Sequence, residues 1–280
     1  MLNRHCGVLG SPIAHSLSPV IHRAAYQHLG LGWEYSAHEV DEAGLAAFLG
    51  SLDPSWRGLS LTMPLKRVAL ELSATASDVA RTVGAANTLV RLDDGNGDGW
   101  AADNTDVPGV VATLGEAGAG TATPVCLWGG GATAASVLAA LAFRGSGPVH
   151  VHARSATRAG AALAVAAALG HPAEAAPWAV LPVCAAAGLV VSTAPAGAVD
   201  VLAGELTAAG ADARRVLFDV VYDPWPTPLA AAWLAAGGAV ASGLDLLVHQ
   251  ALGQVRLMTG SDVPVSVLRE AALAAIGTRA

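Results

Sequence analysis

The stretch TPVCLWGGGATAASVLAALAFRG, residues 123–145, restricts the fold more than any other part of the chain. An apolar run of strand length gives way to Gly129, Gly130 and Gly131, then to Ala132 and an alanine-rich segment of helical length. Glycines between a strand and a helix let a ligand approach the main chain closely, and the open N–H groups of the helix start favour an anion. Within a βαβ series such a turn is where a dinucleotide pyrophosphate sits; taken alone, it also reads as a tight turn. The alternation continues beyond it. PVHVHARS (148–155), AGLVVSTAPAG (187–197), RRVLFDVVYDP (214–224) and GGAVASG (237–243) read as strands, with helical segments between most of them. This half of the chain is expected to form a Rossmann-type parallel sheet.

The first hundred residues alternate too. Residues 6–10 read as a buried strand, 19–29 as a helix ended by Gly30, and WEYSAHEV (33–40) as a strand. DEAGLAAFLGSL is helical, GLSLTMP (58–64) a short strand, KRVALELS (66–73) helical, and AANTLVRL a strand running into the hairpin-like DDGNGDGW. This argues for α/β architecture with a largely parallel sheet. A second unit opens near residue 107 with the helix VPGVVATLGEAG, and the tail 244–280 is helical and expected to pack back onto one of the two domains.

Composition narrows the class of function. A chain of 280 residues suits two domains, and 53% hydrophobic residues support a sizeable core. A net charge of −7 with 15 Lys and Arg and no basic run argues against a nucleic-acid partner. No uncharged apolar run reaches the roughly 18–20 residues of a membrane span, and MLNRHCGVLG has neither an h-region nor a cleavage site. A cytoplasmic protein is expected. The three cysteines, Cys6, Cys126 and Cys184, are far apart and read as buried small hydrophobes in a reducing compartment. No CxxC or HxxxH spacing appears, so no metal site is expected, and His150 and His152 on one strand face read as packing or solvent exposure.

Four stretches carry chemistry. In GSPIAHSLSP (10–19), Ser18 before Pro19 reads as an N-cap ahead of a first-turn proline. Ser16 has no such duty, and free hydroxyls at a helix N-terminus suit a small carboxylate. In SLTMPLK (60–66), Met63 is extended because Pro64 follows, and Lys66 falls in the first turn of a helix, where a cation opposes the dipole. An exposed surface lysine is the competing reading. AADNTDVPG (101–109) precedes a helix; Thr105 or Asp106 could cap it, yet two carboxylates and an amide exceed one cap's need. If Lys66 and Asp106 meet across a cleft, they form a proton-handling pair for a substrate oxygen. Finally, the strand after the glycine turn ends in Arg154 and Ser155, with Arg158 beyond and no acid to hold a ribose hydroxyl. Guanidinium groups suit a 2′-phosphate, so NADP is favoured over NAD; two solvated arginines are the alternative.

Taken in order along essentially the whole chain, these stretches resemble the shikimate dehydrogenase family. GSPIAHSLSP resembles its carboxylate-binding serine motif, which implies Ser16 and Ser18 as substrate ligands. LTMPLK resembles the Thr-x-Pro-x-Lys motif and implies Thr62 at the substrate and Lys66 as catalytic. GAANTL (84–89) points to Asn87, and DNTDVPG makes Asp106 the catalytic partner of Lys66. DVVYDPWPTPL (219–229) places Tyr222 near the substrate, and SGLDLLVHQAL (242–252) places Gly243 and Leu246 near the nicotinamide and Gln250 at the substrate. Ser60 stands where members often carry Asn, and is expected at a ring hydroxyl directly or through water. Gly129, Gly130, Gly131 and Ala132, with Arg154, Ser155 and Arg158, are the implied cofactor contacts. The family's Gly-Ala-Gly-Gly-Ala loop, Asn-Arg-Thr motif and Asn-Ala-Thr segment are here WGGGA, Ala153-Arg154-Ser155 and STA (192–194).

The resemblance implies a substrate-binding domain over 1–106, an NADP-binding Rossmann domain over 107–242, and C-terminal helices over 243–280 returning to the first domain. It implies NADPH-dependent reversible reduction of 3-dehydroshikimate to shikimate by a monomer or homodimer, in aromatic amino-acid biosynthesis. A quinate/shikimate dehydrogenase using NAD is the near rival. A non-catalytic ligand sensor is the reading from another class, and it conflicts with the presence of both Lys66 and Asp106. A methylene-tetrahydrofolate dehydrogenase fits the serine and Tyr222 segments poorly.

Overall fold

A computed structural model of the chain describes residues 4–92, 99–208, 212 and 214–277, without the side chains of 156 and 158. It divides into two compact units, Met1–Gly109 with Leu247–Ala280, and Val110–Leu246.

In the first unit the chain runs through β1 (His5–Gly10), α1 (Ser18–His28), β2 (Glu34–Glu39), α2 (Leu45–Ser51), β3 (Trp56–Leu61) and α3 (Lys66–Glu71). It continues through β4 (Thr75–Ala76), α4 (Asp78–Val83), β5 (Thr88–Arg91), β6 (Trp100–Asp103) and the start of α5 (Asp106–Glu116). The sheet has the order β2-β1-β3-β5-β6-β4. β1 pairs in parallel with β2 and β3 and is almost wholly buried, as a central strand covered on both faces should be. β2 buries only Tyr35 and is otherwise exposed or half-buried, as an edge strand can be.

The expectation of a largely parallel sheet needs correction here. β5 runs antiparallel to both β3 and β6. The short connection between β5 and β6 allows only a hairpin return, since a parallel return needs a crossover of a dozen residues or more. The expected turn at DDGNGDGW lies largely outside the described residues, but Leu92 N–H still donates to Gly99 C=O at 3.0 Å on either side of it. The reversal brings the C-terminal ends of β1, β3 and β6 and the start of β5 to one edge of the sheet. Ser60 pairs with Thr88, and Thr88 with Asp103, across that edge.

The second unit comprises β7 (Val125–Trp128), α6 (Ala132–Phe143), β8 (Val149–His152), α7 (Ala156–Ala168), β9 (Ala173–Ala176) and α8 (Pro182–Ala186). β10 (Leu189–Ser192), α9 (Ala203–Ala208), β11 (Val216–Asp219), α10 (Pro228–Ala235) and β12 (Ala239–Ser242) complete it. α11 (Gly243–Thr259) carries the chain back to the first unit, where α12 (Val265–Gly277) packs against α1. All six strands are parallel, in the order β12-β11-β10-β7-β8-β9, the doubly wound order with its switch point between β7 and β10. The central strands VCLW, LVVS and VLFD are buried throughout. α6 is buried from Ala134 to Leu141, and its alanines allow that close approach. The core on one side of this sheet holds Trp128, Leu217, Leu229 and Trp233; that of the first unit holds Leu9, Leu59, Leu89 and Trp100.

Candidate active site

The site-bearing segments of the first unit are fastened to one another by main-chain bonds. Thr62 N–H donates to Leu9 C=O (2.9 Å), Ser11 N–H to Met63 C=O (3.0 Å) and Leu61 N–H to Asn87 C=O (2.7 Å). The serine loop after β1, the turn after β3 and the start of β5 are thereby one assembly. Gly10 is required there, because a Cβ on it would run into Thr62 Cγ2. Lys66 opens α3, and its own carbonyl accepts from Ala86 N–H at 2.7 Å.

Lys66 Nζ donates to Asp106 Oδ2 at 2.6 Å. The two side chains are 15% and 7% exposed, so the pair is mostly desolvated, with the ammonium the more accessible partner. Asp106 Oδ1 accepts from Asn87 Nδ2 at 2.8 Å. The same amide lies 2.9 Å from Thr105 Oγ1 and 3.1 Å from Gln250 Oε1. Asn87 Oδ1 accepts from Thr105 N–H and from Thr88 Oγ1–H, each at 2.8 Å. Gln250 Nε2 donates to Leu247 C=O at 2.9 Å, which turns its carbonyl oxygen toward Asn87. Lys66, Asp106, Asn87 and Gln250 thus form one connected polar cluster at the sheet edge.

The helix-start readings need two corrections. Asn104, rather than Thr105 or Asp106, caps α5: its Oδ1 accepts from Asp106 N–H (3.0 Å) and Val107 N–H (3.3 Å), while its Nδ2 donates to Ala85 C=O (2.9 Å). That leaves the Asp106 carboxylate to face Lys66. At α1 the cap is Leu17, Ser18 is already helical, and Ser16 Oγ accepts from Ser18 N–H at 3.3 Å. Ser16 therefore does hold main chain, and no side-chain bond caps this helix. Ser18 is buried and Ser16 half-buried.

Ser60 sits in a neighbouring network. Tyr35 O–H donates to Ser60 Oγ (2.6 Å), and Ser60 O–H donates to Gln254 Oε1 (2.7 Å). A hydroxyl carries one donor, so Ser60 can meet a ring hydroxyl only as an acceptor. Gln254 Nε2 in turn donates to Asn87 C=O (3.0 Å) and Thr88 Oγ1 (3.1 Å). Gln254, Asn104 and Thr105 are participants that the sequence reading missed. Asn104 and Thr105 lie inside a stretch already singled out, whereas Gln254, one helical turn beyond Gln250 on α11, could have been found by that spacing.

In the second unit, Gly129 has φ +129°, a conformation suited to glycine, and a Cβ there would strike Thr193 Oγ1. Gly131 caps α6 without a side-chain bond, and open space surrounds the place its Cβ would take. Gly130 lies between them, and Ala132 is the first residue of the helix. These are the features that a pyrophosphate at a helix N-terminus needs. Arg154 is exposed beyond β8, its guanidinium carbon 4.9 Å from the centre of the Trp178 ring, with no ion pair among the described residues. Ser155 is exposed beside it. Arg158 lies on α7, its side chain outside those described. The turn and the stacked guanidinium fit a dinucleotide that carries an extra phosphate.

Tyr222 is half-buried in the loop after β11. Gly243 opens α11 where a Cβ would collide with the main chain of Val220, and Leu246 is buried one turn on. Cys126, His152 and Cys184 bring their ligand atoms within 4.8 Å of one another from three separate elements, a grouping that no sequence spacing announces. His150 instead pairs with Glu174 at 2.9 Å.

Comparison with known proteins adds independent findings. Residues 8–89 match the family described as "Shikimate dehydrogenase substrate binding domain", and residues 243–273 match "Shikimate 5'-dehydrogenase C-terminal domain". A protein of Thermosynechococcus vestitus named shikimate dehydrogenase (NADP(+)) is 32% identical, over 97% of this chain and 96% of its own. The crystal structure of shikimate dehydrogenase from Mycobacterium tuberculosis is 41% identical with a TM-score of 0.86, over 97% of this chain and 99% of that one. The shikimate 5-dehydrogenase of Thermus thermophilus, solved in complex with NADP(H) and shikimate, is 31% identical with a TM-score of 0.83, over 97% and 99% of the two chains.

Proposed function

The chain belongs to the shikimate dehydrogenase family, and on that premise we propose that it interconverts 3-dehydroshikimate and shikimate with NADP(H), Lys66 and Asp106 handling the proton. The observation that carries this reading is the 2.6 Å contact between Lys66 Nζ and Asp106 Oδ2, braced by Asn87 on the second carboxylate oxygen.

NADPH, when bound, supplies the hydride to the substrate ketone. As charge develops on that oxygen, Lys66 donates a proton from Nζ, and in the reverse direction it removes one. Asp106 fixes the direction in which the ammonium points; Asn87, itself held by Thr105, and Asn104 fix Asp106. Asn87, Asp106 and Gln250 read ring hydroxyls by exchanging bonds they now make with each other. The hydroxyls of Ser16 and Ser18 hold the carboxylate end, and Thr62 and Tyr222 stand near the substrate. Ser60 acts at one remove, by setting Gln254. Glycines 129–131 and Ala132 would cradle the pyrophosphate, Arg154 with Ser155 and Arg158 the 2′-phosphate, and Gly243 and Leu246 the nicotinamide.

No described helix is long and apolar enough to cross a membrane. We assign the protein to aromatic amino-acid biosynthesis in the cytoplasm, as a monomer or homodimer acting on a small molecule without nucleic acid.

Purified protein assayed with shikimate or quinate, each with NADP⁺ or NAD⁺, tests the reading through the absorbance of reduced nicotinamide. The highest kcat/KM is expected for shikimate with NADP⁺. A clear preference for quinate with NAD⁺ would replace it by the quinate/shikimate dehydrogenase reading. Tight shikimate binding without turnover would indicate a sensor.

A further inference from the structure

The second unit gathers another chemistry-bearing group behind its glycine turn. Cys126 lies on β7, His152 ends β8 and Cys184 lies on α8, and none of the three has any exposed surface. The two sulfurs are 2.7 Å apart, and Cys184 Sγ is 3.6 Å from His152 Nε2. His152 Nδ1 lies 2.7 Å from Pro177 C=O, an acceptor only, so Nδ1 carries the proton and Nε2 offers a lone pair to Cys184. Trp128 stacks on the imidazole at 4.2 Å and 8°, holding the ring in place. Cys184 S–H therefore donates to His152 Nε2, and the Cys126 sulfur stands inside van der Waals contact of Cys184 Sγ. The contact with Cys126 lowers the Cys184 pKa below the ordinary thiol value, and the same contact together with burial raises that of Cys126. A thiol that faces a free imidazole nitrogen has the surroundings of a nucleophile.

We propose that Cys126 and Cys184 are a redox-active dithiol, which a hydroperoxide converts to an intrachain disulfide with His152 as the base for Cys184. His152 takes the Cys184 proton, and the thiolate attacks the peroxide O–O bond. Cys184 becomes a sulfenic acid, and hydroxide leaves as water. Cys126 then attacks that sulfur, the S–S bond forms, and the sulfenic oxygen leaves as a second water. The two thiols lose two electrons and two protons, and hydrogen peroxide is reduced to two waters. Cys6 is the third cysteine, buried in the other unit, and takes no part.

A metal ion is the competing occupant, and the geometry disfavours it. Two thiolates at about 2.3 Å from one tetrahedral ion stand roughly 3.7 Å apart. These sulfurs are closer than that, and the cluster offers three ligand atoms among the described residues. A peroxide is small and uncharged, and α8 is a five-residue helix without a side-chain cap, so its local opening exposes Cys184 to such an oxidant.

The test is mild hydrogen peroxide treatment of the full, folded chain. Intact mass, thiol titration in denaturant and non-reducing peptide mapping are then the readouts. The expected result is a mass lower by two hydrogens, a thiol count falling from three to one, and a Cys126–Cys184 linked peptide that dithiothreitol releases. Cys184→Ser is expected to leave Cys126 and Cys6 as thiols under the same treatment. Unlinked thiols after treatment, oxidation of Cys6 in preference, or a sulfinic acid on Cys184 without linkage would each overturn the proposal. So would zinc or copper bound at one per chain in the untreated protein and lost in Cys184→Ser.

Discussion

Asn87 has every polar atom of its side chain engaged and joins several partners of the site. Its amide reaches Asp106, Thr105 and Gln250, its oxygen accepts from Thr105 N–H and Thr88 O–H, and its backbone oxygen accepts from Leu61 N–H and Gln254. Asn87→Ala strands a buried N–H and a carboxylate oxygen, so about 1–3 kcal/mol of stability should be lost as well as activity. Urea denaturation checks the first and steady-state kinetics the second. Asn87→Asp is expected to lower kcat further, by setting a second carboxylate against Asp106. Arg154 separates cofactors rather than substrates. Arg154→Gln should raise KM for NADP⁺ about tenfold or more while leaving KM for NAD⁺ within about twofold, since a lost charge-assisted phosphate contact is worth roughly 1.5–3 kcal/mol. Equal effects on both cofactors would remove Arg154 from the phosphate site.

The elements position these residues through their ends. Asn104 caps α5 and so frees Asp106 for Lys66. Asn104→Ala should cost about 1–2 kcal/mol and lower kcat, because the carboxylate loses the main-chain geometry that aims it. In the other unit, Gly129→Ala places a methyl group against Thr193 at a backbone angle alanine resists. Weaker NADP⁺ binding and a lower Tm are expected, and Thr193→Ala should restore only the part due to the clash. Much at this scale is readable from sequence. The strands with Val, Leu and Phe runs and the helices with Pro19 and Pro228 in their first turn have local chemistry that agrees with their fold, whereas Pro64 lies in the turn before α3. β9, with sequence AEAA, has no β-branched residue and owes its pairing to β8 alone, and β4 has two residues. Ser18 reads as a cap because it precedes Pro19, but the helix already includes Ser18, and Leu17 holds the cap position.

At the scale of the whole molecule, sequence order and spatial order part company. Lys66, Asn87 and Asp106 sit in separate short motifs, each legible, and only the antiparallel return of β5 and β6 brings them to one edge. Cys126, His152 and Cys184 carry no spacing signature, because two neighbouring strands and a later helix of the second unit supply one residue each. Stability should also depend on pH. Burial lowers the His22 pKa from 6.5 to about 4, while the unfolded chain titrates near the ordinary value. Between these values the unfolded state binds the proton and the folded state does not. Stability is therefore complete above about pH 6.5 and falls toward pH 4, by a few kcal/mol at most for this one group. His22→Gln should flatten the slope of urea-derived stability over that window, and an unchanged slope would assign the loss to other groups.

The central claim is that the Lys66–Asp106 pair performs proton transfer rather than substrate capture. Kinetics of Lys66→Ala, set beside shikimate affinity measured by calorimetry, test it most directly. A fall in kcat of about 10²–10⁴-fold, with the dissociation constant within about tenfold, is the predicted result. An unchanged kcat, or a loss confined to affinity, would contradict it.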